Sequence, residues 1–171
     1  MTLRKQLSQK IGLFEIKFLC KKESKEKIFS LIFDNEQKIS QNATWILTHL
    51  PKSENKWINS KRDLLIDKAM CNNNTTTIRL YLTLLERCHF KKSEIRTDFL
   101  DYCLKNASDL NNSASIQVLS MKLAYKQCIN YIELLKELQE RLNLLEANTF
   151  SPSIANQRKK IIGKIEKQLQ H

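Results

Sequence analysis

NNNTTTIRLYLTLLERC, residues 72–88, supports two local readings. Thr75, Thr76, Thr77 and Ile78 are β-branched, and a branched Cβ favours an extended backbone. Leu80, Leu82, Leu84 and Leu85 favour a helix. Spacing decides between them. Ile78, Leu82 and Leu85 stand at i, i+4 and i+7, which is one face of a helix, and the Asn-Thr block before them supplies capping side chains.

The same register recurs along the chain. Ile39 is followed by Ala43, Ile46, Leu47 and Leu50; Ile116 by Leu119, Leu123 and Ala124; Ile154 by Ile161, Ile162 and Ile165. The four starting isoleucines are 39, 38 and 38 residues apart, and the seventh position after each is apolar: Ile46, Leu85, Leu123 and Ile161. A second apolar position, 26 after the start, is leucine three times, at Leu65, Leu104 and Leu142. Each unit therefore reads as helix A, a turn, and helix B, with the B helices expected near 54–71, 93–106 and 130–147. Ser53 and Ser93 are candidate N-caps for the first two. Pro51 marks the end of the first A helix, and Ser151-Pro152 opens the last one. At the N-terminus, Leu3, Leu7, Ile11, Phe14 and Phe18 step by four, four, three and four, predicting one amphipathic helix, and Ser24 is placed to cap a second one carrying Ile28, Leu31 and Ile32.

A period near 38 with two helices per unit resembles the HEAT and armadillo-like α-helical repeats, and in particular their short HEAT-like members. The resemblance implies an all-α fold, an α-α superhelix of about eight or nine antiparallel helices. The resemblance covers residues 35–171 well and 1–34 poorly, and the chain is expected to form a single domain over 1–171: a degenerate helix pair at 1–34, units at 35–73, 74–111 and 112–149, and a closing helix at 150–171. The units lack a clear proline in helix A and the Asp/Arg ladder of regular HEAT repeats.

Composition narrows the function. With two Gly and two Pro among 171 residues, neither a dinucleotide fingerprint nor a P-loop can be written, and a turn-rich β fold is disfavoured. The five cysteines, Cys20, Cys71, Cys88, Cys103 and Cys128, form no C-x-x-C pair and read as small buried thiols in a reducing cytoplasm. The apolar run near the N-terminus contains Glu15 and Lys17, so no membrane span is expected. His49 and His89 each follow an A helix, where the macrodipole alone explains a histidine. No metal site, cofactor or catalytic residue is expected. Trp45 and Trp57 read as packing residues rather than a binding platform. The carboxylate sets Asp63/Asp67, Asp98/Asp101 and Glu133/Glu137/Glu140 share their helices with Lys or Arg and read as solvated faces.

Stacked helix pairs present a concave surface lined by B helices, and such surfaces hold proteins or peptides. The expected function is a non-enzymatic protein-binding scaffold. Its candidate contacts are the outward B-helix residues Lys61, Arg62, Arg96, Asp98, Lys136, Glu137 and Arg141. The alternative is nucleic-acid binding, since some HEAT-like proteins are DNA alkylation-repair glycosylases and the chain carries +11. That excess lies at the ends, +4 over 1–34 and +4 over 150–171, while the charged residues of the three B helices sum to +2, −1 and −1. A groove tracking phosphates should be basic along its length. Nucleic acid is therefore left to the basic termini, such as Arg158, Lys159, Lys160, Lys164 and Lys167, and is not favoured.

Overall fold

The computed structural model describes residues 2–145 and 151–170, and within them every regular element is a helix. The disputed stretch is helical. It forms α7, Thr75–Glu86, capped by Asn74, whose side chain accepts the Thr77 N–H at 2.9 Å. Thr77, Leu80, Tyr81, Leu82, Leu84 and Leu85 are buried. The β-branched residues occupy the first turn, where the cap satisfies the backbone and their strand preference is outweighed by burial of the leucine face.

The chain gathers into two compact units, 1–87 and 88–171. The first holds α1 (Leu3–Leu7), α2 (Leu13–Lys22), α3 (Lys25–Ser30), α4 (Gln37–Thr48), α5 (Asn55–Ser60), α6 (Arg62–Met70) and α7. α4 is its centre and packs on α1, α2, α3 and α7, while α6 packs on α7. The expected face of α4, Ile39, Ala43, Ile46 and Leu47, is buried. Arg87 ties the end of α7 to the chain after α4, donating to Asn55 Oδ1 at 2.9 Å and to the Pro51 carbonyl at 2.9 Å.

The second unit holds α8 (Thr97–Ser108), α9 (Ala114–Cys128), α10 (Ile132–Leu144) and α11 (Pro152–Leu169). α9 is its centre and touches the other three. Ile116, Leu119, Leu123 and Ala124 of α9 and Ile154, Ile161 and Ile165 of α11 are buried, as their spacing predicts. Arg158 donates to the Leu142 and Asn143 carbonyls, satisfying acceptors that the last turn of α10 leaves open.

Several expectations need correction. The single N-terminal helix is two, because the chain leaves the helix after Leu7 and restarts at Gly12, the N-cap residue of α2. Asn42 of α4 holds the gap open by donating to the Leu7 and Gln9 carbonyls at 2.8 and 3.2 Å. The first B helix is broken at Lys61 into α5 and α6. With these divisions the described residues contain eleven α-helices rather than eight or nine. Ser53 and Ser93 do not cap B helices: each lies inside a short 3-10 turn, Lys52–Glu54 and Lys92–Glu94. The third B helix ends at Leu144, short of the expected 147, of which residues 146 and 147 lie outside the described residues. Cys71 is exposed, because it sits at the C-cap of α6, whereas Cys88, Cys103 and Cys128 are buried and Cys20 is intermediate; all five are free thiols.

Candidate functional site

The break before Gly12 decides what α2 shows to solvent. The register from Leu3 through Phe18 assumes one continuous helix; once the helix is interrupted, the rotation no longer carries across. α2 instead buries Ile16 and Leu19 against α4. Its opposite side carries two adjacent rows at i, i+4, i+8: Leu13-Lys17-Lys21 and Phe14-Phe18-Lys22. Phe14 is 82% exposed, Phe18 53% and Leu13 50%. The Lys22 ammonium lies 5.5 Å from the Phe18 ring centroid, a cation–π contact at the end of the apolar row.

α2 forms a ridge between two hollows. On one side is a cleft of about 700 Å³, lined in part by Lys17, Cys20, Lys21, His49, Leu50 and Pro51. On the other is one of about 280 Å³, lined by Gln6, Ile11, Glu15 and Phe18 among others. In the larger cleft, Glu54 is paired with Lys25 at 2.5 Å and Glu23 with Lys27 at 3.5 Å. Lys17 and Lys21 make no ion pair among the described residues and stand beside the phenylalanines, with Glu26 also lining the cleft. His49 shares its Nδ1 with the Trp45 carbonyl at 3.1 Å, which a carbonyl permits only if Nδ1 carries the proton. Burial pushes the Cys20 thiol up more than nearby Arg87 and Lys21 pull it down, so it is not an activated nucleophile.

The seven B-helix residues singled out from the sequence fall in both units. Lys61 lies over the Phe29 and Trp57 rings, at 5.5 and 5.9 Å. Arg62 departs from the expected exposure: it is only 8% exposed, with its Nε 3.3 Å from Asp63. Arg96 is paired with Asp98 at 2.5 Å, and this guanidinium holds the Asp98 carboxyl below the usual carboxylate range. Arg141 is paired with Glu137 at 2.8 Å, one turn away on α10, and Lys136 is exposed. Trp57 meets Phe29 edge-on at 5.6 Å and Trp45 meets His49 at 6.3 Å; both tryptophans are half-buried. Among the described residues, no three His, Cys, Asp or Glu side chains gather into a metal-ligating group, and no helix is long and apolar enough to cross a membrane.

Sequence reasoning missed the α2 face because Phe14 and Phe18 look like core residues. The signal that could have found it is Gly12 followed three residues later by Glu15: the Gly12 N–H donates to Glu15 Oε2 at 3.0 Å, marking a helix start between Ile11 and Leu13.

Comparison with known proteins gives one family and no individual relative. Neither the curated proteins nor the solved structures contain a match to this chain. A family model described as a HEAT repeat domain matches residues 3–165, nearly the whole chain and both compact units. With the all-α architecture and the repeated A-helix register already in place, this chain belongs to the HEAT repeat domain family.

Proposed function

We propose that this chain is a non-enzymatic module that binds another protein, and that the outer face of α2 takes an acidic segment bearing bulky apolar residues. HEAT repeats commonly serve as protein-interaction scaffolds and are generally non-catalytic, which supports the first half. The second half rests on one observation: Leu13, Phe14 and Phe18 are exposed side by side, with Lys17, Lys21 and Lys22 continuing the same two rows. Single exposed apolar residues are ordinary, but a contiguous aromatic patch rimmed by charge marks an interaction surface. The phenylalanines supply the contact area that slows dissociation. The lysines supply the field that favours an acidic partner and speeds its arrival.

The B-helix residues offer less. Arg96 and Arg141 already face their own carboxylates, Lys61 covers aromatic rings, and Arg62 is buried. A partner docking there would have to displace these pairs. For nucleic acid, the C-terminal cations Lys159, Lys160 and Lys167 are exposed on α11, but Arg158 is occupied at the end of α10 and Lys164 lies 5.7 Å from the Tyr125 ring centroid.

The test is selection from a displayed peptide library that varies in net charge and apolar content, followed by affinity measurement on variants of the full chain. Selected peptides should be acidic and rich in large apolar residues. The Phe14→Glu/Phe18→Glu double variant should bind them at least about tenfold more weakly. If binding survives that change and is lost instead in Lys136→Glu/Arg141→Glu, the contact surface is the B-helix face. If random duplex DNA binds more tightly than any peptide and is released steeply by salt, the protein-binding reading is overturned.

A further inference from the structure

The outer face of α2 has a hydrogen-bonding character as well as an apolar one. Its two rows are Leu13, Lys17 and Lys21, and Phe14, Phe18 and Lys22, all six exposed. None of these side chains carries a hydrogen-bond acceptor: three are hydrocarbon, and an ammonium only donates. The α2 backbone adds none away from its ends, because its N–H and C=O groups are spent inside the helix. The stretch before α2 has also spent its carbonyls. Those of Leu7 and Gln9 accept the Asn42 amide at 2.8 and 3.2 Å, and that of Gly12 accepts the Ile16 N–H at 3.0 Å. Acceptors stand to either side of the rows, in the flanking hollows, Glu15 in the smaller and Glu26 in the larger.

This selects the conformation of a segment that docks across the rows. An extended segment brings bare backbone N–H groups down onto hydrocarbon and ammonium, where each is buried without an acceptor. A helix keeps its N–H groups paired with its own carbonyls and presents only side chains. The relief of the face agrees. Two adjacent rows at i, i+4 are ridges with a groove between them, and the matching row of a second helix settles into that groove at a crossing angle of about 50°. The chemistry is graded along α2: Leu13, Phe14 and Phe18 occupy its amino-terminal half, and Lys17, Lys21 and Lys22 extend to its end. Beside the phenylalanine row, the hollow of about 280 Å³ is lined by Ile11, Phe18 and Leu19 among others, an apolar wall for a large side chain that overhangs the ridge.

We infer that the acidic segment proposed for the α2 face binds as an amphipathic α-helix of about three turns, comparable with the 10 residues of α2. Its large apolar residues fall at i, i+3, i+4 and i+7, and its acidic residues flank that stripe over Lys17, Lys21 and Lys22. This rests on the α2 face being the contact surface. Helices so short are marginal in water, so the segment folds as it binds.

The probes are two displayed peptide libraries of equal composition and net charge. One has its apolar positions at i, i+3, i+4 and i+7, the other at alternate residues. Selection on the full chain should give binders from the first at least about tenfold tighter than any from the second. The best of them should gain helical circular dichroism on mixing with the protein. Proline at a central polar position of that peptide should weaken it about a hundredfold. Phe14→Glu/Phe18→Glu should weaken it at least about tenfold, while the unliganded double variant keeps the parent's circular dichroism and unfolding midpoint, since both phenylalanines are exposed. Alternating peptides that match or exceed the helical ones and still require Phe14 and Phe18 overturn the helical form and leave the α2 surface standing. Binders indifferent to Phe14→Glu/Phe18→Glu, or no binders from either library, overturn the α2 reading and the helical partner with it.

Discussion

Phe14 and Ile16 are two residues apart on one helix and have opposite fates, and the difference is measurable. Phe14 is 82% exposed, so Phe14→Ala should move the unfolding free energy by no more than about 0.5 kcal/mol while weakening partner binding. Ile16 is fully buried against α4, so Ile16→Ala should cost about 2–5 kcal/mol in urea unfolding, through lost transfer free energy and a cavity. The sequence alone put Phe14 on the apolar stripe of one N-terminal amphipathic helix, because hydrophobicity reports which side chains prefer burial and cannot report that a helix restarts. The cysteines divide in the same way. Cys71 at its exposed cap should react first with an alkylating reagent, while Cys103 and Cys128 should react only on unfolding. Burial pushes the Cys103 thiol up strongly and that of Cys128 to about 12, with Glu137 adding to the latter. The ordinary thiol value is 9.0. The folded pKa values are raised, so the stability linked to these thiols is complete below pH 9.0 and is lost as pH rises toward the folded values, because the unfolded chain releases protons the folded chain keeps. Unfolding free energy should therefore fall above pH 9.0, and Cys128→Ala should make that fall shallower than in the parent.

At the scale of the element, α7 shows how a cap overrides local propensity. Three consecutive threonines begin the helix, yet Asn74 accepts the Thr77 N–H and fixes the start, and the leucines behind it supply the buried face. Asn74→Ala should cost about 1 kcal/mol, read by chemical denaturation, because the N–H at the third helical position loses its acceptor. The A-type helices α4, α7, α9 and α11 were legible because each carries three or more apolar residues at helical spacing, and α7, α9 and α11 also have a cap or proline at their start. The B-type helices were legible only as approximate positions. Ser53 and Ser93 have the right chemistry for caps, but the chain spends them in 3-10 turns, and α5 and α6 separate at Lys61, where φ −102° and ψ 4° leave the helical region without glycine or proline to announce it. The same limit applied to the α2 face, which depends on which side of the element is left uncovered, and the phenylalanines do not state that.

At the scale of the molecule, positive charge and uncovered apolar surface coincide in the first 34 residues, where the chain carries +4 and Leu13, Phe14 and Phe18 are exposed. The +4 at the C-terminal end accompanies a helix that buries Ile154, Ile161 and Ile165 and whose exposed residues after Pro152 are polar or charged. That asymmetry is why the first unit carries the proposed contact. Beneath it lies the regularity that identified the architecture, the apolar residue seven places after the first isoleucine of each A-type helix. Ile46, Leu85, Leu123 and Ile161 are each at most 1% exposed. The most direct test is to replace these four, one at a time, with alanine and to follow urea unfolding beside the exposed controls Arg79→Ala and Lys159→Ala. Each seam variant should lose about 2–5 kcal/mol, and each control should stay within about 0.5 kcal/mol of the parent. A seam variant as harmless as the controls would contradict the repeat register, and with it the assignment of which residues face the core and which are left to bind.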